Sequence, residues 1–277
     1  MLTARAPGKV NLCLFVGAPR ADGLHPIVSV FQPVSLADAL TLTEAGDADR
    51  VICPGVDGEN LAARALAEFR AATGWTAPPR TLTIAKHVPV AAGMGGGSAD
   101  AAAALRLAAA DSGHPIPPEL PMRLGADVPV LLHPARALVT GAGEHVEPLA
   151  ETADDARARP ASTLVIVPLD AHLSTAAVYG EFDARDRPRS PDELDDWAER
   201  LRAGEPPPAV NDLQAAARRL CPQIDRALEA LNEAGVHRPL VTGSGPTVFG
   251  YSDDPEAPAR LRAAGYDRAR SAGPYAP

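Results

Sequence analysis

A glycine-rich segment between a predicted strand and a predicted helix constrains this chain more than any other feature. Residues 93–97 consist of four glycines and one methionine. Apolar residues in 81–88 predict a strand before the segment, and the alanine-rich residues 98–110 predict a helix after it. Glycine lets a backbone approach a ligand closely, and the first turn of a helix offers free N–H groups. Such a strand–loop–helix unit favours binding of an anion, above all a phosphate.

The loop matches neither of two common phosphate-binding patterns. No Gly-Lys-Ser/Thr follows the glycines, as a P-loop requires, and no Gly-x-Gly-x-x-Gly can be read from Gly93 onward. Ser98 can either cap the helix or donate its hydroxyl to a phosphate oxygen. From the pattern alone, the alternative is a flexible turn capped by Ser98. The candidate phosphate-binding residues are Pro89, Val90, Ala91, Ala92, Gly93, Met94, Gly95, Gly96, Gly97, Ser98 and Ala99.

Charge and composition exclude several classes of function. The formal net charge of −9 argues against a general binder of polyanions, and 4% aromatic residues are too few for a base-stacking platform, so we expect no nucleic-acid partner. No apolar run is long enough for a membrane span or a signal peptide. The cysteines, Cys13, Cys53 and Cys221, match no metal spacing, and no histidine pair does. We therefore expect a cytoplasmic protein without disulfides, a protein-built metal site or a membrane partner.

Local patterns divide the chain into two α+β halves of similar size. Residues 151–160 are polar and aperiodic, and we place the boundary there, giving domains 1–155 and 156–277. The patterns predict strands at 10–16, 28–42, 81–88, 137–140, 163–167, 240–242 and 247–251. They predict helices at 60–73, 98–110 and 224–234, one that begins with a capping box at Ser190, and one capped by Asn211.

Two charged residues in the first half are candidates for chemistry. Lys9 shares a predicted strand with Asn11, and Lys occurs in this chain only as Lys9 and Lys86. A lysine can hold a phosphate or lower the pKa of an acidic neighbour, although a solvated strand lysine is the commoner case. Asp127 lies in an apolar segment, where it can cap a turn or accept a proton from a substrate hydroxyl.

Further turns lie far apart along the chain. Residues 20–25 form a turn that ends in His25, and such a loop histidine is more often solvent-exposed than functional. Residues 141–144 and 243–247 are glycine turns, each compatible with a simple hairpin. The second could line the same cleft as the glycine loop, between the two halves.

In their order, these segments resemble the GHMP kinase superfamily, and within it the family of 4-diphosphocytidyl-2-C-methyl-D-erythritol kinases. The resemblance covers nearly the whole chain, and the segments at 22–25 and 125–129 favour this particular family. The motifs are Ala6-Pro7-Gly8-Lys9-Val10-Asn11-Leu12, Arg20-Ala21-Asp22-Gly23-Leu24-His25, the glycine loop, Gly125-Ala126-Asp127-Val128-Pro129, Gly141-Ala142-Gly143-Glu144, Leu173-Ser174-Thr175, Asn211-Asp212-Leu213 and Val241-Thr242-Gly243-Ser244-Gly245-Pro246-Thr247.

The resemblance implies a two-domain α+β fold with the active site in the cleft between the domains. It implies an ATP-dependent kinase of the non-mevalonate isoprenoid pathway that phosphorylates the 2-hydroxyl of 4-(cytidine 5'-diphospho)-2-C-methyl-D-erythritol. ATP would lie on the glycine loop, and Mg²⁺ is expected with the nucleotide. Asp127 would be the catalytic base, assisted by Lys9. The implied substrate-binding residues are Asn11, His25, Thr175 and Tyr179, with His25 and Tyr179 at the cytosine.

The chain departs from the family pattern at three positions. Leu24 stands where an aromatic residue is usual, Pro26 follows the loop histidine, and Ala99 replaces a second serine. One alternative is therefore a GHMP kinase for another small alcohol, such as homoserine or a mevalonate-like acid. Another is a non-catalytic nucleotide-binding protein of the same fold. In each case we expect a small-molecule ligand and a monomer or homodimer.

Overall fold

The fold consists of two antiparallel-rich sheets with helices packed on them. A computed structural model describes residues 1–56, 58–150 and 163–276. The first half contains β1 (Leu2–Val16), β2 (Ile27–Glu44), β3 (Arg50–Ile52), α1 (Leu61–Thr73), β4 (Arg80–Ala85), α2 (Gly96–Ser112), α3 (Leu120–Leu124), α4 (Val128–Leu132), β5 (Ala137–Gly141) and β6 (His145–Pro148). The second contains β7 (Thr163–Val167), α5 (Thr175–Arg185), α6 (Pro191–Arg202), α7 (Gln214–Leu220), α8 (Gln223–Glu233), β8 (His237–Val241), β9 (Val248–Ser252), α9 (Ala257–Ala263) and β10 (Arg270–Ala272).

The long strand β2 organises the first sheet. One edge of β2 pairs antiparallel with β1 along nearly its whole length. The other edge pairs with β5 over residues 27–31 and with β4 over residues 39–44. The strands β3 and β6 extend the two ends. Because β2 is paired along both edges and β1 is packed in the core, their inner residues are almost all buried.

Helices α1 and α2 cover one face of this sheet. The side chain of Asn60 caps α1 by accepting from the N–H groups of Ala62 and Ala63, and Gly74 ends it in the left-handed conformation. The buried residues of α2 are mostly alanines. Short side chains let α2 lie close to α1 and to the strands, in one core with Leu66, Phe69, Leu82 and Ile84.

The second sheet, in the order β10-β7-β9-β8, is fully antiparallel. Apolar residues of β7 pack with those of helices α5, α7, α8 and α9 in a second core. The helix α6 begins with the capping box of Ser190 and Glu193, as expected. It packs back onto the first half, where Trp197 stacks on Phe15 with ring centroids 4.5 Å apart.

A third core joins the two halves. It contains Val10, Leu12 and Phe15 of β1 together with Ile166 and Phe249 of the second sheet. Because β1 contributes to this core, the second sheet packs directly against the strand that carries Lys9. None of the helices in the described ranges is both long and apolar enough to cross a membrane. The described cysteines Cys13, Cys53 and Cys221 are all free.

Most predicted elements are confirmed, and the differences have local causes. The strand predicted at 81–88 ends at Ala85, because Lys86 and the two residues after it turn towards Asp38. The helix predicted at 98–110 begins earlier, at Gly96, with Gly95 as its N-cap residue, so of the two roles considered for Ser98 the structure excludes the helix cap. Asn211 accepts from the N–H of Leu213 in a turn, and α7 starts only at Gln214. The boundary predicted at 151–160 lies outside the described residues.

The close packing of the second sheet generates a stability prediction. A Cβ on Gly250 of β9 would lie 2.6 Å from Val236 Cγ1 and 2.8 Å from the His237 carbonyl oxygen. We expect Gly250→Ala to lower the free energy of unfolding by about 1–3 kcal/mol, since overpacking displaces neighbours. Gly180→Ala, in α5 where a Cβ would meet nothing within 4 Å, is the control and should stabilise by up to about 1 kcal/mol. Urea denaturation measures both, and equal stability of the two variants would contradict the prediction.

Candidate active site

Two cavities border the glycine loop. The first, here called the cleft cavity, has a volume of about 270 Å³ and lies between the two halves; it is lined by Lys9, Asn11, Leu14, Ile27, Phe31, Gly93, Gly95, Asp127, Thr175, Tyr179, Leu213, Gly243 and Ser244. The second, here called the loop cavity, has a volume of about 200 Å³ and is lined by Cys53, Val56, Glu59, Asn60, Leu61, Lys86, Val90, Ala91, Gly97 and Asp100. Residues of the glycine loop and of the segment before it therefore line both potential ligand sites.

The backbone of the glycine loop is held by contacts that leave no room for side chains. Gly93 and Gly95 have φ values of 74° and 68°, a region that favours glycine. A Cβ on Gly93 would lie 2.7 Å from the Gly245 carbonyl oxygen, and one on Gly95 would lie 3.3 Å from both Asp127 Oδ2 and Lys9 Cε. The N–H of Lys9 donates to the Met94 carbonyl at 2.9 Å, and the Met94 side chain is buried. The loop is thus a packed part of the structure and not a flexible turn.

Helix α2 begins inside the loop and presents its first N–H groups there. Its first intrahelical hydrogen bond runs from the Ala99 N–H to the Gly95 carbonyl at 2.8 Å. The N–H groups that precede Ala99 in the helix therefore have no partner inside it, and they carry the positive end of the helix dipole. A Cβ on Gly97 would meet nothing within 4 Å, so the approach is open on this side. The geometry favours an anionic group at this helix end.

Lys9 and Asp127 face each other in the cleft cavity. Lys9 Nζ lies 3.5 Å from Asp127 Oδ2, and the two side chains are 5% and 31% exposed. The ammonium also lies over the Phe31 ring, 4.6 Å from its centroid. Asp127 precedes α4, but its carboxylate makes no capping hydrogen bond, so it is not a turn cap. A buried cation beside a partly exposed carboxylate leaves the carboxylate within reach of a ligand.

Asn11 holds Lys9 in place through a buried network. Its Oδ1 accepts from Lys9 Nζ at 2.8 Å and from the Thr242 hydroxyl at 3.2 Å. Its Nδ2 donates to Ser29 Oγ at 2.9 Å. The amide of Asn11 is thus engaged on both sides by protein groups. Asn11 lines the cleft cavity, and these contacts make it the residue that orients the ammonium of Lys9.

Three further predicted residues come together on the other wall of the cleft. Thr175 and Ser244 lie with their hydroxyl oxygens 3.1 Å apart. The Tyr179 ring contacts the His25 ring at a centroid distance of 4.7 Å, and His25 Nδ1 lies 2.8 Å from the Gly17 carbonyl oxygen. Burial, together with the nearby charges of Asp127 and Asp183, raises the pKa of Tyr179 to about 12. Tyr179 is therefore a neutral, largely apolar surface at physiological pH.

Sequence reasoning missed several residues around the site. Ser244 was identified only as part of a glycine turn, and Asp183, whose Oδ2 lies 3.4 Å from His25 Nε2, carried no signal. Arg20 and Glu144, from two separate motifs, form an ion pair at 2.9 Å. Lys86, singled out only for the rarity of lysine, lies between two aspartates at the loop cavity. Each of these contacts joins segments distant in sequence, so no local pattern could reveal it.

Groups of His, Cys, Asp or Glu that could hold a metal ion were sought among the described residues, and none of three or more is present. The chemistry that the site offers is therefore that of one ammonium, one accessible carboxylate and a helix N-terminus. A hydroxyl bound beside Asp127 can lose its proton to that carboxylate. An anion at the start of α2 would face the backbone N–H groups. Together these groups suit transfer of a charged group to a hydroxyl.

Comparisons with known proteins agree with this geometry. The domain description "GHMP kinases N terminal domain" matches residues 60–134, and "GHMP kinases C terminal" matches residues 181–269. A 4-diphosphocytidyl-2-C-methyl-D-erythritol kinase from Nocardioides sp. is 43% identical over 88% of this chain and 86% of its own length. The same-named protein from Streptomyces coelicolor is 41% identical over 91% of this chain and 88% of its own.

Solved structures show the same relationship. The crystal structure of a 4-(cytidine 5'-diphospho)-2C-methyl-D-erythritol kinase superimposes with a TM-score of 0.78 at 32% identity, covering 98% of each chain. A mevalonate kinase superimposes with a TM-score of 0.66 at 11% identity, covering 99% of this chain and 100% of its own, which shows a common fold. The α+β fold expected from the sequence is confirmed, and the chain belongs to the 4-diphosphocytidyl-2-C-methyl-D-erythritol kinase family of the GHMP kinases.

Proposed function

We propose that this kinase transfers the γ-phosphoryl group of ATP to the 2-hydroxyl of 4-(cytidine 5'-diphospho)-2-C-methyl-D-erythritol, a step of the non-mevalonate isoprenoid pathway. The observation that carries the proposal is that the glycine loop lines both the cavity with Lys9 and Asp127 and the cavity at the start of α2. An acceptor in the first and a nucleotide in the second would bring the hydroxyl and the phosphate together at the loop. The named relatives support the choice of acceptor.

In the proposed mechanism, Asp127 is the general base. Its carboxylate takes the proton of the acceptor hydroxyl as the oxygen forms a bond to the γ-phosphorus, and the bond from that phosphorus to the oxygen of ADP breaks. Lys9, held by Asn11 and 3.5 Å from Asp127, stabilises negative charge on the transferring group. The burial of Lys9 strengthens this effect, because the medium around it screens charge weakly.

ATP would occupy the loop cavity and the start of α2. Val56, Leu61 and Val90 give the cavity an apolar lining suited to the purine, and Gly97 leaves space beside the free N–H groups of the helix. Ser98, in the first turn of α2, could donate its hydroxyl to a phosphate oxygen. We propose that Mg²⁺ arrives with ATP as part of the substrate, since it binds phosphates and retains several waters.

The cytosine of the acceptor would bind at His25 and Tyr179. An Nδ1–H of His25 would donate to the Gly17 carbonyl and so fix the ring, and Nε2, which lies 3.4 Å from Asp183 Oδ2, would face the edge of a base. The apolar Tyr179 ring offers one face for stacking, and Leu24, which is 50% exposed, offers an aliphatic surface instead of a second ring. Thr175 would help to bind the acceptor.

The cytoplasmic location, the monomeric or dimeric state and the boundary near residue 155 remain predictions of the sequence.

The role of Asp127 can be tested by an isosteric change. We expect Asp127→Asn to lower kcat for ATP-dependent phosphorylation of the acceptor by about 100-fold or more, the low end for a lost base. Calorimetric binding of ADP should stay within a few fold of wild type. Asp170→Asn, which removes an exposed carboxylate paired with Arg268, is the control and should keep full activity. Normal turnover by Asp127→Asn would contradict the assignment of the base.

The identity of the acceptor can be tested by competition. Free CMP contains the cytosine but not the reacting alcohol, so we expect it to inhibit competitively against the acceptor. Inhibition by UMP should be much weaker, because its base edge differs in donors and acceptors. Initial rates at several acceptor concentrations measure both effects. Equal inhibition by CMP and UMP, or turnover of homoserine in place of the cytidine compound, would favour the alternative GHMP kinase functions.

Removal of the Arg20–Glu144 ion pair tests whether the loop before His25 affects binding of the acceptor. Arg20 also forms an ion pair with Asp22 at 2.8 Å. One side chain therefore contacts both its own loop and the turn that carries Glu144. We expect Arg20→Met to raise the KM for the acceptor about two- to fivefold, the range for an exposed ion pair, with kcat and the KM for ATP nearly unchanged. Arg268→Met, which removes the similar pair with Asp170, should change no constant. A fall in kcat at unchanged acceptor KM would contradict this role.

A further inference from the structure

Three charged side chains meet at the loop cavity, which Lys86 and Asp100 line. Lys86 Nζ donates to Asp38 Oδ2 at 2.5 Å and to Asp100 Oδ2 at 2.7 Å. The side chains of Lys86, Asp38 and Asp100 are 13%, 0% and 5% exposed. They come from three separate places in the fold: the end of β4, the middle of β2 and the first turns of α2. The mechanism proposed above uses none of them.

Asp38 is the most fully hydrogen-bonded carboxylate of this cluster. Its Oδ1 accepts from the backbone N–H groups of His87 and Val88 at 2.5 and 2.8 Å, and its Oδ2 accepts from Lys86. Three donors, one of them the Lys86 ammonium, are thus directed at this one carboxylate. The positive charge of Lys86 is therefore already balanced by Asp38.

Asp100 is the member whose charge is not balanced. Its Oδ2 shares the ammonium of Lys86, while its Oδ1 is buried and has no hydrogen-bond partner among the described residues. Two ionised aspartates beside one lysine would leave a net negative charge in a poorly hydrated place. Such a charge is costly, and a proton on Asp100 would remove it. Asp100 also lines the loop cavity, beside Gly97.

Some groups around Asp100 raise its pKa and others lower it. Burial is the largest effect and raises the pKa of Asp100 to about 7; the charge of Lys86 opposes the rise and that of Asp38 adds to it. The thiol of Cys53 and the carboxylate of Glu59 line the same cavity, and the start of α2 favours negative charge. A bound phosphate would add further negative charge and favour the protonated carboxyl group.

We propose that Asp100 takes up a proton when the nucleotide binds, so that the phosphates enter a site without excess negative charge. The inference rests on the proposed nucleotide site but not on the identity of the acceptor. The proton comes from the buffer and goes to Oδ1 of the carboxylate, which becomes a neutral carboxyl group able to donate a hydrogen bond. Lys86 and Asp38 remain a balanced pair. Asp100 thus acts as a positioning residue. Its protonation removes one negative charge from the site when the negatively charged nucleotide binds.

The experiment is calorimetric titration of the whole protein with ADP and Mg²⁺, about one pH unit above the pKa of Asp100, in two buffers of different ionisation enthalpy. The dependence of the binding enthalpy on the buffer counts the protons exchanged. We expect wild type to take up about half a proton or more per ADP, because its Asp100 is mostly ionised before binding. Wild type that binds ADP without proton uptake would overturn the inference.

Two variants show which residue takes up the proton. Asp100→Asn resembles the neutral carboxyl group in shape, and we expect it to bind ADP with little or no proton uptake and with an affinity that no longer falls as pH rises. Asp111→Asn, on the same helix but paired with Arg80 at 2.8 Å, is the matched control and should behave as wild type. Undiminished proton uptake by Asp100→Asn would overturn the assignment.

The outcomes separate this inference from the proposed function. Failure of folded wild type to bind ADP would contradict the nucleotide site and the inference with it. Proton uptake by a protein that does not phosphorylate the cytidine compound would support the inference and reject only the acceptor.

Discussion

The side-chain amide of Asn11 is the contact on which the arrangement of the site depends. Its oxygen accepts from Lys9 in the same strand and from Thr242 in the second half, and its nitrogen donates to Ser29 in the neighbouring strand. An unpaired buried amide is costly, so all three partners must be present at once. One polar group thereby couples the relative position of the two halves to the orientation of the ammonium beside Asp127.

The glycine loop is held in the same way, by contact and not by its own flexibility. A Cβ on Gly93 would meet the Gly245 carbonyl of the second half, and one on Gly95 would meet Lys9 and Asp127. The loop therefore fits only when the turn around Gly243–Gly245 and the Lys9 strand are both in place. The glycines allow the loop to pack closely against these segments. The packed loop in turn fixes the position of the start of α2.

What the sequence could predict depended on the range of the interaction. Helix α6 was predictable because its capping box lies within four consecutive residues, and β1 and β2 because alternation is local. The start of α2 was misplaced, because a left-handed glycine replaced Ser98 as the N-cap residue. The resemblance supplied Lys9 and Asp127, which the fold brings within 3.5 Å. The contacts of Lys86 with Asp38 span 48 residues, and no local pattern encodes a pairing at that distance.

The two lysines of the chain show how the site divides its charge. Lys86 is neutralised by Asp38, so it adds little positive potential at the loop cavity and mainly ties α2 to the sheet. Lys9 faces a carboxylate that the proposed reaction would protonate, and its charge then has no remaining counterion in the pair. Its attraction for the transferring group would therefore grow as the proton moves to Asp127. Stabilisation that increases along the reaction accelerates it, whereas stabilisation present from the start only strengthens binding.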